Sequence, residues 1–403
     1  MSDFDAKSLC ILGRQPALGL AELECLYGAE HVQPAHGAAL LDVPAEDINF
    51  KRLGGTIKTT RILATLPTSN WRDVYNFLLE KVPAYVAPME DGKFTLGVSV
   101  YGLKTTPNDI NKLNLAIKKQ IRPSGRAVRV VPNKDLALNS AQVLHNNLTK
   151  RGAWELILFE NSSQTIVAQT LFVQDIEAYG ARDQARPARD ARVGMLPPKL
   201  AQIIINLAVG KLEQKTEIKD QRHRVRLLDP FCGTGVVLQE AMLMGYAVIG
   251  TDLEPRMVDY TRQNLQWLVS QQPSIDALAD VEVADATTYQ WPGFSCVASE
   301  VYLGRALASV PPPDKLREIQ NDANTIIKKF LTNIAGQLKP GQRLCLALPA
   351  WRVAGKTTSL PLLENLGDLG YNYLDLEHAA KQDLLYFRED QVVARQLVIL
   401  EKN

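Results

Sequence analysis

The C-terminal half of this chain of 403 residues, from about residue 200 onward, has the pattern of a doubly wound α/β domain. Three observations predict it. Short apolar strands alternate with helices, which is typical of a parallel sheet with crossover helices. A turn with two glycines follows the first strand, and acidic residues follow the next strands. The preceding half mixes strands and helices without this alternation, so we expect α+β structure there.

Hydrophobic runs and helical periodicity place the elements of the C-terminal half. Strands are expected at Val225–Leu228, Ala247–Thr251, Val281–Val283, Cys296–Ala298 and Arg343–Leu348, followed by an antiparallel pair at Tyr371–Leu376 and Val392–Leu400. Helices are expected after the glycine turn up to Met244, at Pro255–Ser270, and from Leu316 to Leu338, where apolar residues follow one helical face.

The N-terminal half predicts two smaller domains, at 1–95 and 96–180, and then an Arg- and Pro-rich linker at 181–200 before the domain at 201–403. Strands are expected at Ser8–Leu12, Ala38–Val43, Lys93–Tyr101, Arg126–Val131, Trp154–Phe159 and Thr165–Val173. Helices are expected at Leu18–Leu26, Trp71–Leu79, Asp109–Gln120 and Ser140–Asn147.

The composition is that of a soluble globular protein, with 46% hydrophobic and 22% charged residues. No apolar run approaches the roughly 18–20 residues of a membrane span, and the acidic N-terminus is unlike an export signal. The five cysteines are scattered without a Cys-x-x-Cys pair, which favours a reducing cytoplasm and argues against a zinc site. We therefore expect a cytoplasmic protein without membrane or metal.

The charge is unevenly distributed along the chain. Residues 101–200 carry 15 Lys and Arg against 8 Asp and Glu, a net charge of +7, whereas the segments on either side each carry −3. A basic module beside a more acidic domain is typical of polyanion binding, although a solvated basic face fits equally well. The candidate RNA-binding residues are Arg182, Arg186, Arg189, Arg192, Lys118 and Lys119.

The strongest local signal is the turn Asp229-Pro-Phe231-Cys-Gly233-Thr-Gly235, directly after the first strand of the α/β domain. Ligands of open α/β sheets lie beyond the carboxyl ends of the strands, and glycines allow close backbone approach. The leading acid favours an amine-bearing ligand over a phosphate. Asp252 follows the second strand, where an acid can bind ribose hydroxyls, and Asp285 follows the third, where it can bind an adenine amino group. Each acid alone could instead be a helix N-cap.

This turn resembles the cofactor loop of methyltransferases that modify exocyclic amines of nucleic acids. The run Arg186-Pro-Ala-Arg189 with Leu196-Pro-Pro-Lys-Leu-Ala201 and Asn206-Leu-Ala208 is similar to one family of these enzymes, the THUMP-containing tRNA guanine-N2 methyltransferases of archaea and eukaryotes, which act at tRNA position 10. Ile11-Leu-Gly-Arg14 and Asp390-Gln-Val-Val393 also resemble that family. The similarity is dense over 181–260 and thin over 95–150.

The resemblance implies a Rossmann-like methyltransferase domain at 201–403, a ferredoxin-like domain at 1–95 and a THUMP-like RNA-binding domain at 96–180. It implies S-adenosylmethionine as cofactor and tRNA as partner, and it leaves open a small activator subunit. The expected cofactor-binding residues are Asp229, Phe231, Gly233, Gly235, Asp252, Leu253, Asp285 and Ala286.

One departure concerns the Asp-Pro-Pro-Tyr motif that the family carries after its fourth strand. The aligned stretch here is Ser299-Glu-Val-Tyr302-Leu-Gly304, which keeps an acid and an aromatic residue but neither proline. We expect Glu300 to accept the N–H bonds of the target amine and Tyr302 to stack on an extruded base, since residues two apart on a strand face the same side. Alternatively, Glu300 caps a turn and Tyr302 packs in the core.

Three functions remain open from the sequence. The first is a tRNA guanine-N2 methyltransferase. The second is a methyltransferase acting on another exocyclic amine, in DNA or ribosomal RNA. The third is an RNA-binding protein whose methyltransferase fold is inactive because the motif at 299–304 has changed.

Overall fold

The computed structural model describes residues 4–87, 89, 92–190, 196–211, 225–275, 278–304, 307, 309–389 and 391–403. The chain forms two compact units. The N-terminal unit comprises the described residues of Met1–Arg14, Glu30–Lys51 and Thr56–Ala178. The C-terminal unit comprises Gln15–Ala29, Arg52–Gly55 and the described part of Tyr179–Asn403.

The N-terminal unit is built on one sheet of eight strands in the order β2-β3-β1-β4-β8-β7-β5-β6. Its strands are β1 (Ser8–Leu12), β2 (Val32–Ala35), β3 (Ala38–Leu41), β4 (Thr56–Leu66), β5 (Phe94–Tyr101), β6 (Val128–Val130), β7 (Ala153–Asn161) and β8 (Gln164–Val173). The pairs β5–β6 and β5–β7 are parallel and the others antiparallel. The sheet therefore runs without interruption across residue 95, where the sequence predicts a domain boundary.

Helices cover this sheet because their apolar residues recur on one face. The N-terminal unit contains α2 (Trp71–Val86), α3 (Pro107–Ile121) and α4 (Ser140–His145). Helix α1 (Pro16–Tyr27) belongs to the C-terminal unit, as does α5 (Ile176–Gln184) from Tyr179 onward. Val74 and Leu78 of α2 and Ile110 and Leu113 of α3 are fully buried against β5 and its neighbours. Asn70 and Thr106 cap the two helices by accepting a backbone N–H.

Strand β4 has no counterpart among the sequence predictions, because its core residues are polar. Lys58 and Glu155 form a fully buried ion pair between β4 and β7. Ser99 Oγ and Thr170 Oγ1 donate to the Glu155 carboxylate over 2.6 and 2.7 Å, and Lys58 Nζ also donates to Leu138 O over 2.8 Å. These hydrogen bonds allow a lysine and a glutamate to take core positions that a hydrophobicity pattern assigns to apolar residues.

The C-terminal unit contains a mixed sheet in the order β11-β10-β9-β12-β13-β17-β15. Its strands are β9 (Arg226–Asp229), β10 (Ala247–Asp252), β11 (Ala279–Val283), β12 (Cys296–Glu300), β13 (Arg343–Val353), β14 (Lys356–Thr358), β15 (Tyr371–Tyr373), β16 (Leu385–Tyr386) and β17 (Val393–Lys402). Strands β9 to β13 run parallel to one another, and β17 lies antiparallel to β13 and β15. This confirms the expected parallel sheet closed by an antiparallel pair.

Helices lie on both faces of this sheet, as in a doubly wound fold. They are α6 (Pro198–Val209), α7 (Val236–Leu243), α8 (Pro255–Gln271) and α9 (Pro313–Ala335). The first three share one apolar cluster with α1, through Leu18 and Ala21, and α9 packs on the opposite face. Helix α1, expected within a domain at 1–95, thus packs on the C-terminal unit. Its Glu22 carboxylate accepts hydrogen bonds from the amides of Gly54 and Gly55 over 2.9 Å each.

Among the described helices, none is long and apolar enough to cross a membrane. The described residues also contain no group of three or more His, Cys, Asp or Glu placed to hold a metal ion. All five cysteines are buried as free thiols.

Candidate active site

The order of the parallel strands creates a crevice beyond the carboxyl end of β9. From β9 the chain proceeds outward to β10 and β11, then returns to place β12 on the other side of β9. Such a reversal of strand order separates the loops on either side and leaves room for a ligand. The glycine turn after β9 and the residues after β10 and β12 therefore meet at one edge of the sheet.

Asp229 ends β9 and is buried at the base of this crevice. Its Oδ1 accepts hydrogen bonds from Ser299 Oγ over 2.6 Å and from the Phe231 amide over 3.3 Å. In the described part of the chain, its Oδ2 accepts none. Burial raises the pKa of Asp229 to about 7, with the charges of Asp252 and Glu300 adding to the increase. A cationic ligand beside this carboxyl group would therefore favour its ionised form, with the proton released to water.

Asp252, at the end of β10, holds the glycine turn from the other side. Its carboxylate accepts the Gly233 amide over 2.9 Å and the Glu254 amide over 3.0 Å. Burial raises the pKa of Asp252, and the two amides oppose that increase. The acid predicted to bind ribose therefore also fixes the loop.

The two glycines of the turn are required for different reasons. Both have left-handed backbone conformations, with φ of 51° at Gly233 and 82° at Gly235. A Cβ on Gly235 would lie 2.8 Å from Thr261 Cγ2, so the helix α8 excludes any side chain there. A Cβ on Gly233 would meet no protein atom within 4 Å. The open side of Gly233 is therefore a surface that a ligand can approach closely.

A cluster of aromatic side chains packs against the residues of the glycine turn. Phe231 packs edge-to-face on Phe330 at 5.1 Å between ring centroids, and Trp291 contacts the same ring at 6.3 Å. The Trp291 indole donates to Thr251 Oγ1 over 3.1 Å, which ties the cluster to β10. Phe231 therefore contacts the protein core and is only half exposed to the crevice.

The remaining predicted cofactor residues lie at the outer side of the crevice. Leu253 is 70% exposed, directly after Asp252. Asp285 is exposed and accepts the Thr287 amide and hydroxyl over 2.8 and 2.7 Å, which holds the pKa of Asp285 below its usual value. Ala286 is buried behind it. Asp285 thus has the hydrogen bonds of a local cap as well as the position expected of a ligand contact.

Glu300 ends β12 and forms an ion pair with Arg395 of β17 through Arg395 Nε and Glu300 Oε1. Burial raises the pKa of Glu300, and the guanidinium of Arg395 opposes this. The glutamate therefore does not simply cap a turn. Tyr302, two residues on, is 37% exposed, which disagrees with the alternative that it packs in the core.

The basic residues expected to bind RNA have different environments. Arg182 pairs with the buried Glu240 over 2.8 Å and lies over the Tyr179 ring, and Arg186 is only 3% exposed beside Thr234. These two predicted RNA-binding arginines are thus engaged with other residues of the protein. Arg189 and Lys119 are exposed and Lys118 is half-buried. Arg192 lies outside the described residues.

Sequence reasoning missed two groups of residues at this site. Arg395 pairs with Glu300 and Ser299 donates to Asp229, although Ser299 lies next to a predicted residue. Thr261 donates to Gly233 O over 2.8 Å, and Asn264 donates to Thr234 O over 2.8 Å. Polar residues on the buried face of α8 were the available signal for this second group.

The sheet order, the glycine turn after the first parallel strand and the acids after the next strands define an α/β methyltransferase fold. The crystal structure of TrmN from Thermus thermophilus has this fold over 98% of the present chain and 99% of its own, with a TM-score of 0.51 and 18% sequence identity. No family model matches the chain.

Two curated relatives are both named tRNA (guanine(10)-N2)-dimethyltransferase. The protein of Methanothermobacter thermautotrophicus is 44% identical over 86 residues, which are 21% of this chain and 22% of that protein. The protein of Pyrococcus abyssi is 29% identical over 160 residues, 38% of this chain and 39% of that protein. The matches therefore cover well under two thirds of either relative.

Proposed function

We propose that the protein transfers a methyl group from S-adenosylmethionine to the exocyclic amine N2 of a guanine in tRNA, at position 10 by similarity to the named relatives. The observation that carries this proposal is the meeting of Asp229, Asp252 and Glu300 around one glycine turn at the reversal of strand order. The proposal assigns an RNA-binding role to the N-terminal unit, with its THUMP-like segment at 96–180.

The residues of the crevice fit the proposed cofactor. Asp229 Oδ2 can accept a hydrogen bond from the amino group of the cofactor's methionine part, and the open side of Gly233 can lie against that part. Asp252, next to the exposed Leu253, can accept ribose hydroxyls, and Asp285 with Ala286 can contact the adenine. When bound, the cofactor supplies a methyl group that is already activated by its sulfonium charge. The protein then has to place the amine nitrogen in line with that methyl group.

Glu300 is the proposed acceptor for the target amine. An ionised carboxylate only accepts hydrogen bonds, and each of its oxygens can accept more than one. Guanine presents the N2 amine beside the N1–H donor, whereas the ring nitrogen beside the amine of adenine or cytosine is an acceptor. A carboxylate therefore attracts both groups of guanine and repels the neighbouring nitrogen of the other two bases. By accepting an N–H bond, Glu300 makes the amine more nucleophilic, and Tyr302 can stack on the base.

A second candidate function is binding of tRNA without methylation. It is favoured by the loss of both prolines at 301 and 302 and by the engagement of Glu300 with Arg395. Proline fixes φ and makes the peptide rigid, so its absence removes one means of placing the amine.

Incubation with labelled methyl donor and total tRNA, followed by digestion to nucleosides, tests the proposal. We expect the label in N2-methylated guanosine and none with an Asp252→Asn variant, which disturbs the cofactor crevice. Label in another nucleoside would show that guanine is not the target. Binding of tRNA and cofactor without any label in RNA would favour the inactive protein.

A further inference from the structure

We propose that Arg395 is a positioning residue: it holds one carboxylate oxygen of Glu300 and thereby directs the other oxygen to the target amine. This inference rests on the proposed methyl transfer. It assigns a role to a residue that is 95 positions from Glu300 in the chain and that no motif of the sequence includes.

The strand register explains how the two side chains meet. Glu300 of β12 pairs with Ala347 of β13, and Arg395 of β17 pairs with Pro349 two residues further along β13. Residues paired in register or two apart share one face of a sheet. Both side chains thus lie over the same face of β13, where the small side chain of Ala347 leaves room for them to reach each other.

The contact uses only one of the two carboxylate oxygens. Arg395 Nε donates to Oε1, and within the described residues Oε2 accepts no hydrogen bond. The Glu300 side chain is 16% exposed, twice the 8% of Arg395. Glu300 is therefore the more accessible side chain of the pair, and its second oxygen is the one left to accept a hydrogen bond from a base.

The charge of Arg395 also favours the ionised form of Glu300. Burial raises the pKa of Glu300 and Arg395 opposes this. Among the described residues, the charge of Glu300 in turn raises the pKa of the nearby Asp229, and Tyr386 lies opposite Arg395 in the register of β16 and β17. Without the cation, the pKa of Glu300 would rise further, and a protonated oxygen would no longer accept the amine.

This arrangement replaces what the two prolines would otherwise provide. A glutamate side chain has one more rotatable bond than an aspartate, and it follows a more flexible backbone when the prolines are absent. A guanidinium donates in a fixed planar geometry, so the hydrogen bond to Oε1 restricts the orientation of the whole carboxylate.

The test compares Arg395→Met and Arg395→Lys with the wild type in methyl transfer to tRNA across pH. For Arg395→Met we expect kcat at neutral pH to fall by about 10²–10⁴, the range for a positioned acid–base group. The loss should diminish as the pH rises, because a higher pH ionises Glu300 even without the cation. For Arg395→Lys we expect the acid limb of the wild type but a kcat lower by about tenfold, because lysine keeps the charge without the planar donor. KM for tRNA should change little in either variant.

Arg352→Met is the matched control, since Arg352 lies on the adjacent β13 and packs on Phe387 away from Glu300. It should keep the wild-type pH profile. An Arg395→Met profile parallel to the wild type, or wild-type kcat in Arg395→Lys, would overturn the positioning role. If Arg395→Met does not fold, as judged by melting and cofactor binding, the Lys variant decides alone. Absence of methyl transfer by the wild type would instead refute the proposed function.

Discussion

At the residue scale, the properties of the candidate site come from carboxylates that the fold buries beside one another. Asp229, Asp252 and Glu300 all have raised pKa values because burial disfavours their charged forms. Each is stabilised differently: Asp229 by a hydroxyl and one backbone amide, Asp252 by two backbone amides and Glu300 by a guanidinium. Their partners determine which of them can bind a cationic ligand and which can accept hydrogen bonds from a neutral base.

Cofactor binding should depend on pH through Asp229. Its pKa of about 7 means that the carboxyl group must lose a proton before it can bind an ammonium group at lower pH. Affinity for S-adenosylmethionine should therefore fall about tenfold per pH unit below 7 and level off above it. Calorimetry from about pH 5.5 to about pH 8 measures this dependence, and Asp229→Asn should abolish it. A wild-type affinity that does not change over this range would contradict the assignment of Asp229.

The substitution Glu300→Gln should lower turnover by roughly 10²–10⁴, because an amide cannot act as a charged acceptor. The substitution also removes the negative charge that pairs with Arg395 and leaves its guanidinium without a counter-charge. We expect this loss to reduce the free energy of unfolding by about 1–3 kcal/mol. Turnover per folded molecule and denaturant unfolding must be measured together. Full activity of the folded variant would remove Glu300 from the mechanism.

At the element scale, polar side chains bind strands to each other in both units. In the C-terminal unit, Asp252 of β10 holds the turn that follows β9. In the N-terminal unit, the Lys58–Glu155 pair joins β4 to β7, with hydroxyl donors from β5 and β8. The second group lies wholly inside the sheet, so its energetics are governed by desolvation.

Removing one member of this buried pair should be costly and removing both should not. Glu155→Leu leaves the charge of Lys58 without compensation, and we expect a loss of about 3–5 kcal/mol in the free energy of unfolding. The double variant Lys58→Met/Glu155→Leu should recover most of that loss, because both charges are gone. Urea unfolding of Lys58→Met, of Glu155→Leu and of the double variant gives the coupling energy between the two side chains. Additive losses would show that the two side chains act independently.

At the scale of the whole molecule, charge separates the parts of the chain. Residues 101–200 carry a net charge of +7, and the rest of the chain is mildly acidic. The exposed candidates Arg189 and Lys119 carry part of this charge, whereas Arg182 and Arg186 are bound internally. Fewer of the predicted arginines are therefore available to a polyanion than the net charge of the segment suggests.

Binding of tRNA should consequently be steeply dependent on salt, with a slope of about −0.7 per neutralised phosphate in a plot of log affinity against log salt concentration. Arg189→Ala and Lys119→Ala should each reduce the magnitude of the slope by about that amount. Arg317→Ala, which removes an exposed arginine from α9, is the matched control and should leave the slope unchanged. Affinity that is independent of salt would remove RNA as the partner.

The sequence by itself determined the succession of strands and helices in the C-terminal half and the crevice beyond β9. Both follow from short-range information: the period of apolar residues, and a glycine turn placed directly after a strand. The antiparallel strands at the end of the sheet, β15 and β17, were predicted in the same way.

Only the tertiary structure decided which side chains complete the site. Strand β4 went unrecognised because hydrogen bonds inside the sheet make its Lys58 a core residue. Helix α1 joined the C-terminal unit because its apolar face, with Leu18 and Ala21, packs on α6. The pairing of Arg395 with Glu300 depends on the register of β17 against β13, which brings together residues far apart in the chain. A local pattern carries no information about such a register, because it is fixed by the packing of the whole sheet.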